Sequence, residues 1–248
     1  NKTYNKMDFP RILKKRKGYI ERIKPFMRKS VAKVLTGQRR VGKSFLLYQL
    51  IEEILGEEPN ANIIYINLED FEFSSLQTAQ DLHSYIISQS QKKDKNYIFI
   101  DEIQDIPGFE KVIRSLLLNE DNDIYITGSN ANMLSGELAT YLSGRYIEFK
   151  IYSLSYLEFL EFHGLTDNEK SYELYSRYGG LPYLLNLPLE DETVNEYLKS
   201  IYSTIVFRDV VSRYKLRNTL FLEKLIQFLS ENIGNLFSAK NISDYLKS

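Results

Sequence analysis

Residues 37–44 read Gly37-Gln38-Arg39-Arg40-Val41-Gly42-Lys43-Ser44, the spacing G-x-x-x-x-G-K-[ST], with the apolar run 31–35 before it and Phe45-Leu46-Leu47 after it. Strand, loop and helix in that order are the context in which such a loop holds polyphosphate. Glycines at 37 and 42 let the loop turn so that successive backbone N–H groups face inward, and a helix starting near Lys43 adds the positive end of its dipole. Lys43 would then reach the β and γ phosphates, and the Ser44 hydroxyl would ligate Mg²⁺. Residues Gly37 through Phe45 are therefore the expected nucleotide contacts.

A second chemical signal lies at 96–105, where Asn96-Tyr97-Ile98-Phe99-Ile100 runs into Asp101-Glu102-Ile103-Gln104-Asp105. An apolar strand ending in two adjacent carboxylates divides the labour after a phosphate loop. Asp101 holds Mg²⁺ through water, and Glu102 orients and polarises the attacking water.

Composition narrows the remaining choices. A chain of 248 residues suits one α/β core with a smaller appendage. With no cysteine, disulfides, thiolate metal sites and cysteine nucleophiles are excluded, and only His83 and His163 could supply imidazole. Both read as surface or helix-end histidines. No apolar run approaches the ~20 residues of a membrane span, and the opening Asn1-Lys2-Thr3-Tyr4 shows no signal-peptide core, so a cytoplasmic location is expected. Residues 1–43 carry fifteen Lys and Arg against Asp8 and Glu21, a net +13, which leaves −14 for the rest of a chain of net charge −1. The basic stretch 11–29, with Ile12, Ile20 and Ile23 at helical spacing, is open to two readings: a face for nucleic acid or an acidic partner, or a solvated face that balances the acidic remainder.

Strand and helix signals alternate along the first half. Strands are expected at 31–35, 61–67, 97–100 and 123–127, and helices at 43–55, 78–88 and 109–118. Right-handed crossovers then give a parallel sheet covered on both faces. A full strand and helix separate the phosphate loop from Asp101, so a further strand can stand between the two motif strands. The strand at 124–127 ends in Gly128-Ser129-Asn130, at the carboxyl edge where ligands of open α/β sheets sit. Asn130 is the first candidate to sense the γ phosphate and Ser129 the second; a plain helix N-cap is the alternative. Leu142-Ser143-Gly144-Arg145 leads into an alternating strand at 146–151 that would close the sheet. Arg145 is open to two readings, a finger reaching a γ phosphate in its own or a neighbouring subunit, or a surface ion pair. Beyond 155 helices dominate, at 155–162, 168–178, 190–214 and 219–231, with Gly179-Gly180-Leu181-Pro182 breaking the run.

Taken together, Gly37–Ser44, Ile100-Asp101-Glu102-Ile103-Gln104, Thr127-Gly128-Ser129-Asn130, Leu142-Ser143-Gly144-Arg145 and Gly179-Gly180-Leu181-Pro182 resemble the AAA-type ATPases of bacteria and archaea. The branch is the STAND-like and archaeal-ATPase one, whose members commonly carry a C-terminal domain of unknown function, and the resemblance spans roughly 18–215. It implies ATP as the nucleotide, with Pro182 of the G-x-P turn against adenine. It also implies a winged helix after the lid. Here 221–231 and 238–248 resemble the first two helices of such a unit, and the third helix and wing are not in this sequence, which weakens the case for DNA recognition by this chain.

The expected organisation is a basic segment at 1–30, a P-loop core at 31–152 of the additional-strand, catalytic-glutamate type, a helical lid at 153–215, and an incomplete helix-turn-helix unit at 216–248. The expected activity is slow hydrolysis of Mg-ATP coupled to a conformational change. Lys43, Glu102, Asn130 and Arg145 would be catalytic, and Ser44 and Asp101 would hold the metal. Two alternatives are a nucleotide-dependent switch with little turnover and a nucleic-acid-associated ATPase. The partners would be ATP and ADP, an unidentified protein, DNA in the last reading, and other copies of the chain.

Overall fold

Short runs of isoleucine and aromatic residues build the sheet. In the computed structural model, which describes residues 14–91, 94–128, 142, 144–205, 211 and 219–247, they form β1 (Ala32–Thr36), β2 (Asn62–Asn67), β3 (Asn96–Asp101), β4 (Asn122–Gly128) and β5 (Tyr146–Lys150). All neighbours pair in parallel, in the order β2-β3-β4-β1-β5. β4 thus stands between the strand of the phosphate loop and the strand of Asp101, as the sequence led us to expect. α1 (Lys17–Ile23) precedes β1, and the connecting helices are α2 (Lys43–Glu57), α3 (Ala79–Gln89) and α4 (Phe109–Leu116).

Side chains alternate across a strand, so each face of the sheet has its own chemistry. One face carries Val34, Ile64, Ile66, Ile98, Ile100, Ile124 and Ile126 against Leu82 and Ile86 of α3 and Val112, Ile113 and Leu116 of α4. The other carries Leu35, Tyr65, Tyr97, Phe99 and Tyr125 against α1 and α2, through Ile20, Ile23, Leu46, Leu50 and Ile54. Register puts Tyr65, Phe99, Tyr125 and Lys33 in one row across that second face. Phe99 and Tyr125 stack with centroids 4.4 Å apart. Coverage of both faces explains why the central strands are mostly apolar.

At the amino ends of the strands this aromatic row meets a buried ion pair that the sequence reading did not anticipate. Lys33 and Asp123 are fully buried and joined to each other. Asp123 also accepts from the backbone N–H of Arg28 at 2.7 Å and the hydroxyl of Tyr125 at 2.8 Å. The Lys33 ammonium donates to the Val31 carbonyl at 2.8 Å and lies 4.5 Å from the centroid of the Tyr125 ring.

α1 begins at Lys17, later than its basic stretch suggested, and buries Ile20 and Ile23; Ile12 lies outside the described residues. Three of the described basic residues are engaged by acids of α2 and the residue after it. Lys15 and Lys24 meet Glu53 at 2.9 and 2.8 Å, and Arg28 meets Glu57 and Glu58, both at 2.8 Å. Such exposed pairs contribute at most about 1 kcal/mol each.

Boundaries follow local chemistry. Thr78 and Asp81 form a reciprocal capping box at the start of α3, and Ser155 and Glu158 form another at α5 (Tyr156–His163). α6 (Glu169–Tyr178) starts at Asn168, whose side chain accepts from Ser171 N–H, and a 3₁₀ turn follows at Pro182–Asn186. The chain divides into two compact units, the first ending at Leu187 and the second beginning at Pro188. The second contains α7 (Asp191–Thr204), α8 (Thr219–Glu231) and α9 (Ala239–Lys247). Phe228 of α8 packs against Phe237 and Tyr245. The helix expected at 190–214 is described as far as Thr204, with Ile205 as its C-cap. Among the described residues no helix is long and apolar enough to cross a membrane.

Candidate active site

The phosphate loop connects β1 to α2 at the carboxyl edge of the sheet. Gly37 is buried beneath the β5 exit: a β-carbon there would strike the carbonyl oxygen of Ile151, whose N–H donates to Thr36 O at 2.7 Å. Arg40 and Gly42 turn the loop with φ of 65° and 94°, and Gly42 is the N-cap of α2. The left-handed N-cap is open to glycine at little cost. Lys43 is 4% exposed. Its ammonium donates to the carbonyls of Gly37 and Gln38, both at 3.1 Å, and lies 3.7 Å from Glu102 Oε1. Burial pushes the Lys43 pKa down, while Glu102 and then Asp101 pull it back up in part.

The carboxylates come from the end of β3. Asp101, 2% exposed, shares the aromatic face with Phe99 and accepts from Thr127 Oγ1 of β4 and from the Ser44 hydroxyl. Burial pushes its pKa up, and the hydrogen bonds from Ser44 and Thr127 oppose that shift. A divalent cation beside it would favour the ionised form. Ser44 and Asp101 offer hard oxygen donors, which suits Mg²⁺, an ion that keeps waters and takes its remaining ligands from phosphates. Glu102 follows with φ 55°, a left-handed backbone for a non-glycine residue. Its N–H donates to Thr127 Oγ1 at 2.9 Å, and Gln104 Nε2 donates to its Oε2 at 2.5 Å.

The structure therefore brings Lys43, Ser44, Asp101 and Glu102 to one place, with Thr127 bridging the two carboxylate residues. Arg39 pairs with Glu69 at 3.2 Å, and Phe45, 47% exposed, lies edge-on to Tyr48. Pro182 is beside the loop: its Cγ would be 3.7 Å from a β-carbon on Gly42, and Leu154 N–H holds the turn through Gly180 O at 2.7 Å. Arg145 is not brought to its own phosphate loop. It is exposed at the amino end of β5, where its carbonyl accepts from Ala32 N–H, so the length of β1 separates it from Gly37. Asn130 and Ser129 lie outside the described residues.

One supporting residue was hidden in the basic run. Arg16, 4% exposed, forks onto Glu158 at 2.8 and 2.9 Å and also donates to the carbonyls of Val41 in the loop (3.2 Å) and Tyr152 (2.8 Å). It ties the phosphate loop to the cap of α5. Burial alone would raise the Glu158 pKa, but the Arg16 hydrogen bonds, then the Ser155 backbone, hold it below its ordinary value. That contribution is present above the ordinary carboxylate pKa and is lost as pH falls through the depressed one. Arg16→Ala is expected to cost about 2 kcal/mol or more at neutral pH, and Arg16→Lys nearly as much, because an ammonium cannot fork. Urea melts at pH 7 and pH 4 check this; the deficit should shrink at the lower pH.

A family model described as AAA domain matches residues 29–160, from before β1 into α5. The chain belongs to the AAA domain family. Every candidate site residue except Pro182 falls inside that match. A second model, Domain of unknown function (DUF8612), matches residues 169–248, so the AAA-type resemblance with its C-terminal domain of unknown function holds. An uncharacterized protein of Haemophilus influenzae is 39% identical over 240 residues, covering 94% of this chain and 59% of that protein. An uncharacterized protein of Methanocaldococcus jannaschii is 32% identical over 228 residues, covering 87% and 50%. The chain thus spans between half and three-fifths of the length of these relatives. Among solved structures it is similar to the Aeropyrum pernix ORC1 protein in complex with DNA (15% identity, 96% of this chain and 78% of that chain, TM-score 0.49). AMPPCP-bound DnaA from Aquifex aeolicus is a further similar structure (13% identity, 93% and 75%, TM-score 0.40).

Proposed function

We propose that this AAA domain binds Mg-ATP and hydrolyses its β-γ phosphoanhydride, using the change of nucleotide to move the helical part of the chain. The observation that carries the reading is the meeting of Lys43 and Ser44 from α2 with Asp101 at the end of β3 and Glu102 just after it, at one edge of the sheet. The loop amides and Lys43 take the phosphates, Ser44 and Asp101 hold Mg²⁺, and Glu102 accepts a proton from water as its oxygen attacks the γ phosphorus and ADP leaves. Little covalent chemistry falls to the protein; positioning and charge neutralisation do the rest. Pro182 would flank adenine, Asn130 would sense the γ phosphate, and Arg145, remote from its own loop, would act on a nucleotide held by a second copy.

A nucleotide-dependent switch uses the same binding residues without turnover. Extraction of nucleotide from the purified protein, followed by phosphate release from Mg-ATP, separates the two. Turnover above background supports hydrolysis, whereas retained ADP with no release leaves a switch. Activity that rises in proportion with DNA would instead favour a nucleic-acid-associated enzyme, and steep salt dependence should accompany it.

A further inference from the structure

We propose that Gln104 is a positioning residue for hydrolysis, clamping the Glu102 carboxylate toward the water that attacks the γ phosphate. The inference rests on the hydrolytic reading above and adds a residue to that same site.

Glu102 needs support. It leaves β3 in a left-handed backbone that a side chain with a β-carbon seldom adopts. Its N–H is held by Thr127, which fixes the backbone and leaves the carboxylate to be oriented by other groups. Lys43 is one of them, but it is 3.7 Å away and divides its donors between Glu102 and the carbonyls of Gly37 and Gln38. With phosphate as a further claimant, its hold on Glu102 weakens. Gln104 makes the short contact, 2.5 Å from its amide nitrogen to Glu102 Oε2.

The backbone between the two residues makes that contact rigid. Ile103–Asp105 is a 3₁₀ turn closed by Asp105 N–H to Glu102 O at 3.1 Å and Ile106 N–H to Ile103 O at 3.1 Å. Ile103 and Ile106, 0% and 2% exposed, pin the turn into the core on either side of Gln104. The choice of an amide is itself informative. Gln104 Oε1 is buried and, among the described residues, has no hydrogen-bond partner. A methionine or leucine would fill the same space without that desolvation penalty. A donor is what the position supplies, and a carboxylate is what receives it.

The test is turnover and binding in Gln104→Met, Glu102→Gln and the double variant, with Gln104→Glu as a second probe that replaces the donor by an acceptor. Melting curves confirm that each is folded, single-turnover release of phosphate from Mg-ATP gives the chemical step, and a fluorescent non-hydrolysable ATP analogue gives affinity. Gln104→Met should slow the step by about 10²-fold, the scale of a misplacement near 1 Å, with affinity unchanged within twofold. It should cost nothing further in the Glu102→Gln background, because it acts through Glu102. Gln104→Glu should be at least as slow. Wild-type turnover in Gln104→Met and Gln104→Glu while Glu102→Gln is inactive overturns this inference alone. Weakened analogue binding, or a further loss in the double variant, overturns it as well, since Gln104 would then act elsewhere. Normal turnover in Glu102→Gln removes the hydrolytic assignment and this inference with it.

Discussion

Lys43→Ala weakens binding of Mg-ATP by roughly 10²- to 10³-fold, about 2.8–4.2 kcal/mol at 1.4 kcal/mol per decade. Two features make the effect this large. The ammonium is almost wholly buried, so it meets phosphate where water competes little, and truncating one partner of a buried charge pair costs 2–5 kcal/mol or more. The variant also removes the ammonium that lies 3.7 Å from Glu102, which would leave two adjacent carboxylates facing a polyanion. Titration with a fluorescent ATP analogue in Mg²⁺ measures it. Affinity within threefold of wild type would mean that the loop of 37–44 does not hold the triphosphate in the way proposed.

Asp123→Ala, at the opposite end of the same sheet face, is expected to remove about 3–5 kcal/mol of stability, because it leaves the Lys33 ammonium buried without its counterion. For a unit of this size that corresponds to a fall of roughly 6–20 °C in Tm. The backbone N–H of Arg28 and the Tyr125 hydroxyl lose their acceptor as well. Asp123→Asn keeps an acceptor for those two donors and should therefore lose less than Ala, and Lys33→Met in the Asn background should recover part of the deficit. Burial already pushes the Lys33 pKa down against the pull of Asp123. Without Asp123 the folded state binds that proton still less than the unfolded state does. Stability of the variant should then climb with pH through the window between the lowered folded value and the ordinary lysine value. Calorimetry at pH 7 and pH 9 checks both the size and the sign. A Tm equal to wild type at pH 7 would contradict the view of this pair as a structural centre.

The two motif strands, the strand between them and the helices on both faces were legible because their signals are local. Alternating βα segments with an apolar run of five or six residues leave few topologies once crossovers are right-handed. The convergence of Lys43, Ser44, Asp101 and Glu102 was legible for the same reason, since each stands at or just beyond the end of a strand or at the start of a helix. Arg16 and the Lys33–Asp123 pair were not. Arg16 sits in a run with Lys14, Lys15 and Lys17, and its role is set by contacts to residues 25 and 142 positions away. Lys33 and Asp123 did leave a trace, a charge in the same phase as Leu35 and Tyr125 within otherwise apolar strands, yet only the parallel register of β1 with β4 shows that the two meet. Strand and helix ends moved by one or two residues, as with α2 running to Glu57, because capping and not apolar periodicity decides where an element stops.

Hydrolysis by this site depends on Glu102. Phosphate release from Mg-ATP by wild type and by Glu102→Gln, measured beside the affinity of each for the same nucleotide, tests it most directly. The prediction is affinity unchanged within about threefold and turnover lowered by roughly 10²-fold or more, the range of a lost general base. Turnover retained in Glu102→Gln would contradict it and return the activation of water to some other group.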